Sequence, residues 1–139
     1  MRIAVIDGQG GGIGKLIVER LRAAFDDEIE ITALGTNALA ASVMIKAGAD
    51  QGASGENAIM VNASKVDVVV GSMGIIAANS MLGELTPAMA KAIAESSAKK
   101  VLIPLNRCNM YVAGVENIPL PSYIDAAVAL IRDFMRVDG

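Results

Sequence analysis

The sequence predicts a three-layer α/β domain, with helices on both faces of a mostly parallel sheet. One supporting feature is that the strand candidates are continuous apolar runs, such as 3–6 and the valines 68–70, which is typical of strands covered on both faces. A second is the change to helical spacing after the first run, where Ile13, Ile17 and Leu21 lie on one stripe. Strands that alternate with helices in this way form parallel sheets through right-handed crossovers.

Capping residues place the elements along the chain. Asn37 is a predicted N-cap, Thr86 and Pro87 start a later helix, and Ser122 with Asp125 forms a predicted capping box for the last helix. The predicted strands cover 2–7, 29–34, 49–53, 66–70 and 101–105, with a short edge strand at 110–115. The predicted helices cover 13–25, 37–47, 54–64, 75–82 and 86–98, and the last begins after Ser122. We expect a single Rossmann-like domain over residues 1–139, with about five strands in the order 3-2-1-4-5.

Composition excludes several classes of function. The 139 residues include no histidine and one cysteine, Cys108, so neither a zinc site, a Ser-His-Asp triad nor a disulfide framework can be built. A net charge of −3 and an aromatic content of 3% argue against nucleic-acid binding. The longest uncharged stretch, 68–83, is too short for a membrane span of about 20 residues. We therefore expect a cytoplasmic protein without a nucleic-acid or membrane partner.

A glycine-rich loop lies between the first predicted strand and the first predicted helix, over residues 7–15. Glycines let the backbone approach a phosphate closely, and the free N–H groups of a helix start favour an anion. The strict dinucleotide pattern G-x-G-x-x-G fails, and so does the Walker pattern, because Gln9 replaces its first glycine and Leu16 its hydroxyl residue. The predicted phosphate-binding residues are Gly8, Gly10, Gly11, Gly12, Ile13 and Gly14. The alternative is a turn that needs glycine only for its own geometry.

The spacing G-x-x-x-G-I-G over residues 8–14 resembles the cofactor loop of short-chain dehydrogenases. This resemblance implies NAD or NADP as the candidate cofactor. Two features of those enzymes are missing here. Neither Tyr111 nor Tyr123 is followed by the lysine of a Tyr-x-x-x-Lys pair. No acidic ribose ligand follows the loop at the spacing of about 20 residues that the dinucleotide pattern requires.

Small polar residues follow several of the predicted strands. Because the carboxyl ends of parallel strands meet at one edge of a sheet, we expect these residues to face the same ligand. Thr36 and Asn37 stand where a ribose ligand is expected, and Ser72 and Asn106 are predicted to lie toward the ligand's far end. The alternative is that such residues serve the geometry of strand-to-helix turns.

Five segments spread over almost the whole chain carry a wider resemblance. They are IDGQGGGIG (6–14), ALGTNALA (33–40), GENAI (55–59), ANSMLGE (78–84) and IPLNRCN (103–109). Together they resemble a family of short bacterial proteins known only as a domain of unknown function. The resemblance implies a bacterial cytoplasmic protein with a Rossmann-like domain, and it carries no activity.

The preferred hypothesis is a small nucleotide- or dinucleotide-binding protein without a recognisable catalytic centre. Two alternatives stay open. One is an oxidoreductase-like enzyme with a nicotinamide cofactor, using Asp7, Glu56 or Glu84 as its acid or base. The other is an oligomeric structural or regulatory protein without a small ligand. An apolar content of 53% in so small a domain also predicts a homodimer or higher homo-oligomer.

Overall fold

The computed structural model describes residues 1–105 and 109–138. Its centre is a parallel sheet of five strands in the order β3-β2-β1-β4-β5, which confirms the predicted topology. The strands are β1 (Arg2–Asp7), β2 (Glu30–Gly35), β3 (Gln51–Ser54), β4 (Val68–Ser72) and β5 (Lys99–Ile103). The helices are α1 (Gly12–Phe25), α2 (Ala38–Lys46), α3 (Glu56–Asn62), α4 (Pro87–Glu95) and α5 (Leu120–Asp138).

Both faces of the sheet are covered, which explains why its central strands are apolar at successive positions. In β1, Ile3 and Val5 point into a core shared with α1, α2 and α5. The alternate residues Ala4 and Ile6 point into a second core, shared with α3 and α4. The fold is therefore the predicted three-layer α/β arrangement. Among the described residues, no helix combines the length and apolarity needed to cross a bilayer.

The segment 75–82, predicted as a helix, is instead irregular. Short 3-10 turns at Met73–Ile76 and Met81–Gly83 flank a bend. Asn79, Met81 and Leu82 have φ angles of 66°, 57° and 56°, so the backbone cannot continue a right-handed helix there. The apolar content of the segment indicated burial but not this local geometry.

Two other expectations near the C-terminus are wrong. The predicted edge strand at 110–115 pairs with no strand in the described part of the chain. Helix α5 begins at Leu120 rather than after Ser122, because Pro121 fits the first helical turn, where a missing N–H is no loss. The N–H of Ser122 donates to the carbonyl of Pro119.

Strands β4 and β5 are displaced by two residues from their predicted positions, and β5 starts at the exposed Lys99 on the sheet edge.

Candidate functional site

A cleft opens at the carboxyl ends of β1 and β4, with a volume of about 690 Å³. The strand order reverses between these two strands, because β2 and β3 extend to one side and β4 and β5 to the other. Ligands of open α/β sheets bind in the crevice at such a reversal. The volume lies within the range of about 300–1,000 Å³ that is usual for small-molecule sites.

The cleft contains most of the residues predicted from the glycine loop. The predicted residues that line it are Gly8, Gly10, Gly11, Gly12, Ile13 and Ser72. Gly14 is buried and does not line the cleft. Thr36 and Asn37 also lie off its wall. Asn106 is outside the described residues, as are Arg107 and Cys108.

Three of the loop glycines are explained by the fold itself. A Cβ atom at Gly8 would lie 2.5 Å from Oγ1 of Thr36, and one at Gly14 would lie 2.9 Å from Cβ of Asp7. Gly11 has a φ of 75° and precedes α1 as its N-cap, with the Ala40 backbone 2.9 Å from the place of a Cβ. At these positions glycine is needed for packing or backbone conformation, whether or not a ligand binds.

At Gly10 and Gly12, unlike at the other three loop glycines, the fold does not require glycine. A Cβ atom at either position would meet no heavy atom within 4 Å, and neither residue has a φ in the left-handed region. The fold therefore accepts a side chain at both places. Both residues line the cleft, and the structure leaves open space where a side chain would begin at either position.

Three backbone N–H groups of the same loop have no acceptor among the described residues. They belong to Gly10, Gly12 and Ile13. The first N–H groups of an α-helix have no partner within the helix, and they are bonded by capping groups, water or ligands. The loop thus presents unused donors at the start of the 14-residue helix α1.

The carboxylate of Asp7 holds the glycine loop through two hydrogen bonds. Its carboxylate, in a residue only 6% exposed, accepts the N–H of Gly8 at 2.8 Å and the N–H of Gly14 at 2.7 Å. It therefore joins the end of β1 to the first turn of α1 across the glycines. These contacts give Asp7 a structural role in the described chain.

A second carboxylate, that of Glu84, ties the loop to β2. Its Oε1 accepts the N–H of Gln9 at 2.9 Å, the hydroxyl of Thr36 at 2.7 Å and the side-chain amide of Asn37 at 2.7 Å. Asn37 also caps α2, as predicted, by accepting the N–H of Ala40. The polar groups predicted to contact a ribose are thus engaged with protein, and the ribose contact itself stays a prediction.

The family match agrees with the resemblance seen in the sequence. The model of the domain of unknown function DUF3842 matches residues 2–136. The chain belongs to this family. None of the curated proteins matches it.

Two solved structures resemble this DUF3842 domain. A dodecameric FMN-dependent UbiX-like decarboxylase from Escherichia coli O157:H7 is 17% identical, with a TM-score of 0.45, and the match covers 94% of this chain and 76% of that one. A universal stress protein in complex with cAMP is 20% identical, with a TM-score of 0.39, and the match covers 71% of this chain and 94% of that one. Identities this low carry no information about function.

The part of the cleft that the sequence did not predict comes from connections elsewhere in the DUF3842 domain. Leu105 follows β5, Leu120 begins α5, and Met81 and Leu82 belong to the irregular segment after β4. No local pattern distinguishes these residues from ordinary loop or core positions. Only the fold brings them opposite the glycine loop.

Few titratable side chains line the cleft in the described part of the chain. Among the described residues that line the cleft, Asp7 is the one ionisable side chain, and two backbone N–H groups already occupy its carboxylate. Glu56 accepts the hydroxyl of Thr86 and lies off the cleft wall. Lys15, in the first turn of α1, is exposed. Among the described residues of the cleft, hydrogen-bonding groups therefore outnumber ionisable side chains.

We expect the stabilising effect of Glu84 to depend on pH. Hydrogen bonds from Gln9, Thr36 and Asn37, in that order of size, hold the pKa of Glu84 below its ordinary value of 4.5. A carboxyl whose pKa is lowered by folding stabilises the protein fully above its unfolded pKa, and the effect is lost as the pH falls through the folded value. Glu84→Gln should reduce the free energy of unfolding at pH 7 by about 1–2 kcal/mol.

Urea unfolding at pH 7, 5 and 3 checks this prediction. The difference between wild type and Glu84→Gln should be largest at pH 7 and should shrink between pH 5 and pH 3. Glu56→Gln is the matched control, because among the described residues its carboxylate accepts only the Thr86 hydroxyl, outside the loop. A difference that stays constant down to pH 3 would contradict the role assigned to Glu84.

Proposed function

We propose that this protein binds a small phosphorylated ligand, with nucleotides as the first candidates, through the backbone of residues 10–13. The observation that supports the proposal most is the coincidence of two properties. Gly10 and Gly12 line the cleft although the fold does not require glycine there. The N–H groups of Gly10, Gly12 and Ile13 find no acceptor in the described part of the chain.

Both properties are what a phosphate site needs. A phosphate oxygen must approach the backbone within about 3 Å to accept an N–H, and a Cβ on the ligand side of the loop blocks that approach. The dipole of a helix adds roughly half a positive charge at its N-terminus. The carboxylate of Asp7 accepts two N–H groups of the loop and offsets part of this charge. Most of the expected affinity therefore comes from the hydrogen bonds rather than from net positive charge.

A thermal-shift panel of AMP, ATP, FMN, NAD and NADP tests the proposal. A ligand present at 100 times its Kd adds about 2.7 kcal/mol of stability. For a domain of this size, that corresponds to a rise in Tm of roughly 8–11 °C. If no nucleotide shifts Tm at millimolar concentration, nucleotide binding is contradicted.

Binding of a phosphorylated ligand without catalysis is better supported than the oxidoreductase alternative. All three carboxylates considered as acid or base are engaged with protein groups, and two of them lie off the cleft wall. NAD or NADP nevertheless remains a candidate ligand, which the panel tests directly. The homo-oligomeric state and the cytoplasmic location also stay predictions.

A further inference from the structure

Six side chains that line the cleft are apolar. They are Ile13 and Leu16 of α1, Leu120 of α5, Leu105 after β5, and Met81 and Leu82 of the irregular segment. All but Leu82 are partly buried, and Ile13, Leu16, Leu105 and Leu120 pack at the edge of the core between α1 and α5. An apolar surface of this kind favours an apolar group beside the anion site.

Leu82 is the most unusual residue of this wall. Its side chain is 97% exposed. Its backbone and that of Met81 lie in the left-handed region, at φ angles of 56° and 57°. An exposed leucine and a left-handed backbone at two successive non-glycine residues are both unfavourable. Strained residues of this kind concentrate at ligand clamps, where the strain serves binding.

Few polar side chains line the cleft, and they are Asp7, Gln9, Ser72 and Ser80. The hydroxyl of Ser80 donates to the carbonyl of Gly74. The groups that suit a sugar, Thr36 and Asn37, are held by Glu84 and do not line the cleft. A sugar placed between α1 and α5 would bury more hydroxyls than these side chains can pair, which is unfavourable.

We propose that the ligand is an amphipathic phosphate ester, whose apolar group lies between α1 and α5 beneath Leu82. This inference rests on the proposed function, because the glycine loop holds the phosphate. It adds the direction of the ligand, which extends from the loop toward β4, β5 and α5 instead of toward β2. It also makes Leu82 a residue that determines specificity by covering the apolar group.

A homologous series of phosphate esters provides the test. The probes are inorganic phosphate, ethyl, butyl and hexyl phosphate, and ribose 5-phosphate, each titrated calorimetrically into the full chain. Each added methylene should lower Kd by about two- to fourfold until the cleft is filled. Ribose 5-phosphate should bind no more tightly than ethyl phosphate, although it is larger.

One variant and one control test whether Leu82 contributes to the dependence of Kd on chain length. Leu82→Ser should weaken hexyl phosphate binding by about tenfold, while the Kd of inorganic phosphate stays unchanged. Because the side chain is almost fully exposed, the variant should fold, and circular dichroism checks this. Leu39→Ser is the matched control, since Leu39 is 62% exposed on α2 and does not line the cleft.

The outcomes separate this inference from the proposed function. A Kd that does not change with chain length, with inorganic phosphate binding abolished by Gly12→Val, would overturn the apolar subsite and leave the phosphate loop standing. A dependence on chain length that Leu82→Ser leaves intact would overturn the role of Leu82. If neither the esters nor the nucleotides bind, the proposed function fails, and this inference fails with it.

Discussion

The Gly12→Val variant is expected to bind a phosphorylated ligand at least roughly a hundredfold more weakly than wild type, because it loses about 3 kcal/mol of hydrogen bonding from the loop. In the proposed site, the valine side chain would occupy the place where the phosphate approaches the backbone. In the free protein the same change is mild, since a Cβ at residue 12 meets nothing within 4 Å and the φ angle suits any residue. The free energy of unfolding should change by less than about 1 kcal/mol.

Gly11→Ala is the comparison variant for Gly12→Val, because the fold requires glycine at residue 11. Gly11 has a φ of 75°, and its Cβ would lie 2.9 Å from the Ala40 backbone, so this smaller substitution should destabilise the fold by about 1–2 kcal/mol. Calorimetry with whichever nucleotide stabilises the wild type, together with thermal unfolding of both variants, separates the two effects. A folded Gly12→Val protein with unchanged affinity would move the ligand away from this loop.

The sheet could be predicted because its signals are local. In β1 every residue from Ile3 to Ile6 is buried, alternately in one core and the other, so the continuous apolar run directly reports two covered faces. The segment 110–115 shows the limit of that signal. Tyr111, Val112 and Val115 are apolar but exposed, and no described strand pairs with them. An apolar segment forms a strand only where a neighbouring strand can pair with it and helices can cover its faces.

The sequence predicted the glycine loop and Ser72 as parts of the candidate cleft, and it did not predict the apolar part of the wall. The loop is a contiguous segment between a strand and a helix, and its order along the chain carries the signal. Glu84 lies 75 residues from Gln9, whose N–H it accepts, and nothing in the spacing relates the two. Leu82 was assigned to a helix, and its left-handed backbone places it at the cleft mouth instead. Contacts between distant connections depend on the packed fold, which periodicity and capping do not describe.

The joint between β1 and α1 is expected to be the point at which a single side chain matters most for stability. The Asp7 carboxylate accepts the N–H groups of Gly8 and Gly14 in a setting where the residue is only 6% exposed. Asp7→Ala removes the acceptor for both. A buried donor left without a partner costs about 1–3 kcal/mol, so the loss of two should lower the free energy of unfolding by roughly 2–5 kcal/mol.

Thermal unfolding measures this loss directly. For a domain of this length, 1 kcal/mol corresponds to about 3–4 °C, so the Tm of Asp7→Ala should fall by roughly 7–17 °C. Asp7→Asn should fall less, because its amide oxygen still accepts one of the two N–H groups. Glu56→Ala, which removes a carboxylate bonded to the Thr86 hydroxyl outside the loop, should shift Tm by much less. If Asp7→Ala melts like wild type, the structural role assigned to Asp7 is contradicted.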